Sequence, residues 1–464
     1  LVLMTLKPQA ENPKKINIAE LFVEDANEVK KYLVNPTGSA WGEIFLGIDK
    51  VLRKVEPMLP RSARERAIKA AVSFIKPRLN GEEGLGGIFP AMANTVMAFE
   101  ALGYPKDDPD LVTAKAAIRK LLRTDDTGGF CQPCLSPIWD TGLAIHSLAE
   151  ANGSDESGDL ARAATWLAEK QILDVEGDWI DKRPGLRPGG WPFEYENDYY
   201  PDVDDTAVVA LALDRMDRKK FAENIARAAE WVVGMQSKNG GWGSFDADNT
   251  YDYLNHIPFA DHGALLDPPT ADVTARCVGM LAQLDAEKYA EPIRKGVAFL
   301  KSEQEEDGSW FGRWGTNYVY GTWSVLCALN AAGEDTKAPY IQRAVEWLRD
   351  RQSDDGGWGE DGATYWEEER ETVKASTASQ TAWAVLALMA VGETESEAVE
   401  CGIKYLLEAP RDGSNWEEPW YTAVGFPKVF YLKYHGYSVY FPLWALARFR
   451  NLKKGNTGRV PHGI

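Results

Sequence analysis

A seven-residue turn recurs along the chain, running from glutamine to tryptophan with glycine two places before the tryptophan. It reads QSKNGGW ending at Trp242, QEEDGSW at Trp310 and QSDDGGW at Trp358. A worn copy, RDGSNW, ends at Trp416, and looser relatives are TDDTGGF and EEGLGGI nearer the start. Around the copies lie segments such as FAENIARAAEWVVGMQS, YIQRAVEWLRDRQS and TASQTAWAVLALMAV, whose apolar residues fall three and four apart, as on a helix with one buried face. Spacings of tens of residues with a helix on either side of each turn predict helical hairpins stacked into a closed ring or solenoid. The glycine supplies a helix stop or a left-handed backbone, the glutamine can bond backbone at a helix end, and the tryptophan covers the neighbouring hairpin. The expected fold class is all-α.

The length of 464 residues allows two or three ordinary domains or one large repetitive architecture. A net charge of -19 offers no basic face to a nucleic acid. Five cysteines with no secretory leader point to a reducing compartment, and no run of about 18 apolar residues predicts a membrane-crossing helix. The chain opens on Leu1, so it is expected to be the downstream part of a longer one. Cys131 and Cys134, in CQPC, have redox or zinc spacing but no second pair, and His146, His256, His262, His435 and His462 are scattered. No metal and no cofactor is expected.

The stretch YYPDVDDTAVVALAL, residues 199–213, sets three aspartates within four positions ahead of a small apolar run. Pro201 suits a first helical turn, so Asp202, Asp204 and Asp205 would lie near the positive end of a helix dipole. Read alone, the pattern is most often a set of solvated helix caps. A carboxylic acid in an apolar cavity has another use: burial disfavours its anion, so it holds its proton, and crowded carboxyls reinforce this.

Together, the repeated turns, YYPDVDDTAVV, SPIWDTGLA, DGSWFGRWGTNYVYGTW and GFPKVFYLKYHGY resemble the squalene-hopene cyclases, bacterial class II triterpene cyclases, over nearly the whole chain. The resemblance implies two α-α barrels of the (α/α)6 toroid type, residues 140–464 forming the barrel with the acid motif and residues 1–139 part of a second barrel, incomplete at its N-terminus. It implies polycyclisation of squalene to hopene or hopanol, started by a proton from Asp204 with Asp202 and Asp205 in support. By matching motif positions, Asp272 bonds within the acid cluster and Tyr320 belongs to the network that reprotonates it. Arg276 stands where the best-known members have histidine. Four residues after Asp272, it is expected to pair with that residue, so that Asp272 and one other aspartate absorb its charge and leave Asp204 protonated.

An intermediate cation must be stabilised without being captured, which aromatic faces do. The residues carried over from the family for this wall are Trp139, Phe193, Phe245, Trp314, Phe426, Phe430, Tyr434 and Tyr437, with Ile88 as a further cavity-wall residue; Phe245 replaces a family tyrosine. In WGEIFLGIDKVLRKVEPML, Trp41, Ile44, Phe45, Ile48, Val51, Leu52 and Val55 share one helical face. That face fits either the protein core or a bilayer interface, and the resemblance implies the second, a monotopic protein at the cytoplasmic face of a membrane. The implied partners are squalene, a lipid bilayer and, as an open alternative, a second copy of the chain. Rival functions are cyclisation of a related linear polyprenoid, hydrolysis by an (α/α)6 glycosidase, and a non-catalytic helical-repeat binding module.

Overall fold

The computed structural model describes residues 1–9, 11–29, 33–35, 37–126, 128–153, 158–258, 265–455, 460 and 463–464. They form two compact units: Leu1–Leu135 with Thr250–Leu266, and Ser136–Asn249 with Asp267–Ile464.

The first unit holds helices α1 (Val2–Leu6), α2 (Ala40–Val55), α3 (Arg61–Ile75), α4 (Phe89–Ala101) and α5 (Pro109–Leu121), then the hairpin of β1 (Leu122–Asp125) and β2 (Gly128–Cys131). Phe99, Leu79, Leu111 and Ala114 form one small core there. The Ser39 hydroxyl caps α2 by accepting the Gly42 N–H. On this helix Trp41, Ile44, Ile48, Val51, Leu52 and Val55 are all exposed.

The second unit alternates two kinds of helix. Helices α6 (Pro137–Asn152), α8 (Val203–Asp217), α10 (Ala271–Asp285), α12 (Tyr318–Ala331), α14 (Ala378–Ala390) and α16 (Tyr437–Lys454) each pack on the next, and α16 returns to α6. This closes a ring of six. Helices α7 (Asp159–Glu169), α9 (Ala222–Met235), α11 (Ala290–Ser302), α13 (Pro339–Asp350) and α15 (Glu397–Glu408) pack against ring helices. Every residue of α14, and Val203–Leu213 of α8, is buried, as expected of inner helices that beyond a polar first turn are apolar all round. The second set keeps exposed faces, as in α13, where Ile341, Ala344, Val345, Trp347 and Leu348 are the buried residues. The unit is an α-α barrel.

The repeated turns hold the two sets together by hydrogen bonds. Gln236 Nε2 donates to the Gly240 carbonyl of its own turn at 2.8 Å and to the Pro292 carbonyl of the next hairpin at 2.9 Å. Gln304 and Gln352 repeat this on Gly308 with Tyr340 and on Gly356 with Ala398. The indole N–H groups of Trp242, Trp310, Trp358 and Trp416 donate to the carbonyls of Val232, Leu300, Leu348 and Leu406, each ten residues back. Gly240 has φ +95°, and a Cβ there would lie 2.5 Å from the Lys295 carbonyl oxygen, so only glycine fits.

A further copy of the turn escaped the sequence pattern. Gln171 Nε2 donates to the Gly189 and Asn224 carbonyls, and Trp191 Nε1 to the Leu167 carbonyl at 2.6 Å. It is the same device with an insertion between glutamine and tryptophan. RDGSNW instead spans the short hairpin β3 (Arg411–Asp412) and β4 (Asn415–Trp416), and TDDTGGF falls on β1 and β2. A last hairpin pairs β5 (Ala423–Phe426) with β6 (Phe430–Leu432). Among the described residues no helix is long and apolar enough to cross a membrane.

Candidate active site

The repeat also places the site. After four of the turns the chain enters a ring helix, and a threonine in that helix accepts the backbone N–H of the turn's tryptophan. Thr206 takes Trp191, Thr274 takes Trp242, Thr322 takes Trp310 and Thr381 takes Trp358, all at 2.9 to 3.0 Å. Two residues before these threonines stand Asp204, Asp272, Tyr320 and Ser379. Three of the expected site residues thus occupy one register position in the first turns of α8, α10 and α12.

Asp202 is the N-cap of α8. Its Oδ1 accepts the N–H groups of Asp204 and Asp205 at 2.7 and 3.2 Å, which frees the other two carboxyls from capping. All three aspartates are buried. Asp204 Oδ1 accepts from Arg276 Nε at 2.5 Å. The other guanidinium nitrogens of Arg276 donate to Ser324 Oγ at 3.1 Å and to Tyr320 Oη. The guanidinium carbon lies 5.1 to 5.6 Å from the ring centres of Trp139, Tyr320 and Trp323, within cation-π range.

Burial pushes the Asp204 carboxyl up to about 6, with Arg276 opposing and Asp272 reinforcing the rise. Asp202 and Asp205 lie well above the usual carboxylate range, first through burial and then through their acidic neighbours. Burial would lower Arg276, but Asp204, Tyr320 and Asp272 hold it above its ordinary value.

Arg276 does not do what its spacing from Asp272 predicts. Its ion pair is with Asp204, across from α10 to α8. The carboxylate of Asp272 is engaged elsewhere: Oδ1 accepts from Thr270 Oγ1 at 2.6 Å, and Oδ2 accepts the backbone N–H groups of Arg313 and Trp314, both at 2.9 Å. Asp272 therefore anchors the loop that carries Trp314, and Asp204 itself faces the fixed charge.

The aromatic residues fall into two groups. Trp139 Nε1 donates to Tyr437 Oη at 3.0 Å; Tyr437 meets Tyr434 edge to face at 4.9 Å, and Tyr434 meets Phe193 at 6.1 Å. In the second, Phe245 meets Trp314 edge to face at 6.5 Å, and Phe426 meets Phe430 at 5.5 Å. Phe430 is exposed. Ile88 belongs to the first unit, where it is exposed at the N-cap of α4. Residues not picked out in the sequence also enter the first group: Trp383 packs edge to face on Tyr320 at 4.9 Å and on Tyr437 at 5.9 Å, and stacks on Trp323 at 5.9 Å. Trp383 stands two residues after its repeat threonine, as Arg276 and Ser324 do after theirs, and that shared spacing was the available signal.

Cys131 is exposed and Cys134 half-buried, and no cluster of three metal-ligating side chains occurs among the described residues. His262 and His462 lie outside the described residues.

Asp205 Oδ1 is buried with no hydrogen-bond partner among the described residues, and Asp202, Asp204, Glu194 and Asp140 crowd it with like charge. A carboxyl raised on folding contributes stability below its unfolded value of about 3.9 that is lost as pH rises toward its folded value. Asp205→Asn is therefore expected to raise the melting temperature at pH 7.5, because it removes a carboxyl whose ionisation folding disfavours. Thermal melts should show the gain shrinking as pH falls toward 4.

Residues 135–451 match the family model for the squalene-hopene cyclase C-terminal domain, and residues 1–127 that for the N-terminal domain. A curated squalene-hopene cyclase of Zymomonas mobilis is 54% identical over 100% of this chain and 72% of its own. One from Bradyrhizobium diazoefficiens is 51% identical over 100% of this chain and 71% of its own. One from Alicyclobacillus acidocaldarius is 41% identical over 97% of this chain and 71% of its own.

Proposed function

The chain belongs to the squalene-hopene cyclase family, and from that premise we propose that Asp204 starts the reaction it catalyses, the proton-initiated polycyclisation of squalene to hopene-type products. The acid proton adds to a terminal alkene carbon of squalene, whose π electrons form the new C–H bond. The cation left on the neighbouring carbon is attacked by the next alkene, and so on along the folded chain. Loss of a proton from the last cation gives hopene, and capture of water gives hopanol. The first outcome returns the proton that was spent, so the net reaction is an isomerisation.

Alkenes are very poor bases, so the acid must be strong yet protonated at rest. Burial raises the Asp204 carboxyl so that it keeps its proton below about pH 6, and the fixed charge of Arg276 at 2.5 Å stabilises the carboxylate that forms. Arginine cannot itself give up a proton here, so Arg276 serves as a permanent counter-charge. The N–H groups at the start of α8 add the positive end of a helix dipole. Tyr320 and Asp272 complete the surroundings of the acid. Trp139, Phe193, Phe245, Trp314, Phe426, Phe430, Tyr434 and Tyr437 supply the wall along which the cation migrates.

The Asp204 to Arg276 contact, buried among aromatic rings, carries this conclusion. Incubation of the full-length protein with squalene, followed by gas chromatography and mass spectrometry of extracted lipids, should yield a pentacyclic isomer of squalene or its hydrate. Release of reducing sugar from glycans, with squalene untouched, would point to the glycosidase instead.

The same proposal assigns the two units to separate barrels, divided before α6 instead of at residues 139 and 140 and with Thr250–Leu266 on the side of the first, and it assigns α2 to a bilayer interface. Its exposed apolar face supports the second assignment, because an amphipathic helix can lie in a membrane surface and deliver a lipid-soluble substrate. Phe45→Asp with Ile48→Asp should reduce co-sedimentation with vesicles about tenfold or more while leaving the melting temperature nearly unchanged. Full vesicle binding by the folded double variant would remove α2 from the interface.

A further inference from the structure

Arg313 directly precedes Trp314, and its side chain has no part in the chemistry above. Its guanidinium carbon lies 4.1 Å from the centre of the Trp314 ring and 5.5 Å from that of Phe426. Nη1 donates to the Gly425 carbonyl of β5 at 3.0 Å. Its backbone N–H, like that of Trp314, ends on Asp272 Oδ2. The loop is also stitched to β5: Val424 N–H donates to the Trp314 carbonyl at 3.1 Å, and Thr316 N–H to the Thr422 carbonyl at 2.9 Å. One planar cation thus lies against the indole, near Phe426, and holds the strand that carries Phe426.

Resting on the cyclase function proposed above, we propose that Arg313 is a positioning residue that fixes the Trp314 and Phe426 rings and thereby sets how many rings close before the cation is quenched. A cation-π contact weakens steeply beyond about 6 Å, so each intermediate cation depends on a ring held at the right point along the substrate. A ring that drifts leaves its cation open to early loss of a proton or capture by water. The product is then incompletely cyclised, while the initiating acid is untouched. A flat guanidinium can stack on the indole and bond Gly425 together; methionine keeps the bulk without either, and lysine keeps the charge without the plane.

The test uses the full-length protein and squalene, with products resolved by gas chromatography. Arg313→Met should raise the ratio of incompletely to fully cyclised products about tenfold, with KM within about twofold of the parent, and Arg313→Lys should fall between. In a Trp314→Phe background, Arg313→Met should change the ratio less than it does in the parent, the remainder acting through Phe426. A merely structural role would lower yield and leave the ratio alone. An unchanged ratio in either folded variant, or fully additive effects with Trp314→Phe, would overturn the assignment; if Arg313→Met does not fold, Arg313→Lys carries the test. A parent protein that leaves squalene unreacted would sink the cyclase function, whereas a cyclising parent with ratio-neutral Arg313 variants sinks only the role of Arg313.

Discussion

Asp204→Asn is expected to abolish squalene cyclisation, by about 10⁴-fold or more, in a protein whose helicity is unchanged. The amide is isosteric, and its oxygen can still accept from Arg276 Nε, so the contact at 2.5 Å has no steric reason to break. What disappears is the only proton on that side chain acidic enough to reach an alkene. The stability effect should be opposite in sign to that of Asp205→Asn. Removing Asp204 leaves the buried Arg276 without its ion-pair partner, a loss only partly offset by Tyr320, Ser324 and the rings of Trp139 and Trp323. The melting temperature should therefore drop for Asp204→Asn and rise for Asp205→Asn at neutral pH. For the parent, the active form carries a protonated Asp204, so activity should fall as pH rises through about 6. Product formation by a folded Asp204→Asn protein would remove Asp204 as the acid.

The barrel was readable because its repeat is local and strict. A glycine with no room for a Cβ, a glutamine bonding two carbonyls and an indole reaching back ten residues leave little freedom at Gly240, Gln236 and Trp242. The copy from Gln171 to Trp191 was missed because its glutamine and tryptophan stand twenty residues apart instead of six, while the bonds they make are the same. The acid motif stands out by three aspartates set against a small apolar run, and its role comes from the family resemblance. The shared register of Asp204, Asp272 and Tyr320 was also present in the sequence, two residues before a threonine each time, but its meaning depends on ring closure, which brings those first turns together. The pairing of Arg276 was misjudged because an i, i+4 rule sees one helix. Its partner is on the neighbouring helix, and Asp272 was already occupied by the N–H groups of a loop whose path no periodicity shows.

That partner exchange sharpens what Arg276 should do to the pH dependence. Burial is the main force raising Asp204, and Arg276 is the main force opposing it. Arg276→Gln should therefore raise the Asp204 value further and move the alkaline limb of the rate profile to higher pH. At pH 5, where the parent acid is protonated, the variant should be about 10² to 10³-fold slower, because the conjugate base has lost its fixed counter-charge. Above pH 6 the parent loses up to about tenfold per pH unit while the variant holds its proton, so the gap between them should narrow. Arg276→His should keep more activity, but only while the imidazole is charged, and its unperturbed value is about 6.5. Two groups must then both be protonated, so the alkaline limb should approach a slope of -2 on logarithmic axes, against -1 for the parent and for Arg276→Gln. Parallel profiles for parent, Gln and His variants from pH 5 to 8 would show that Arg276 balances charge in the fold and takes no part in the acid.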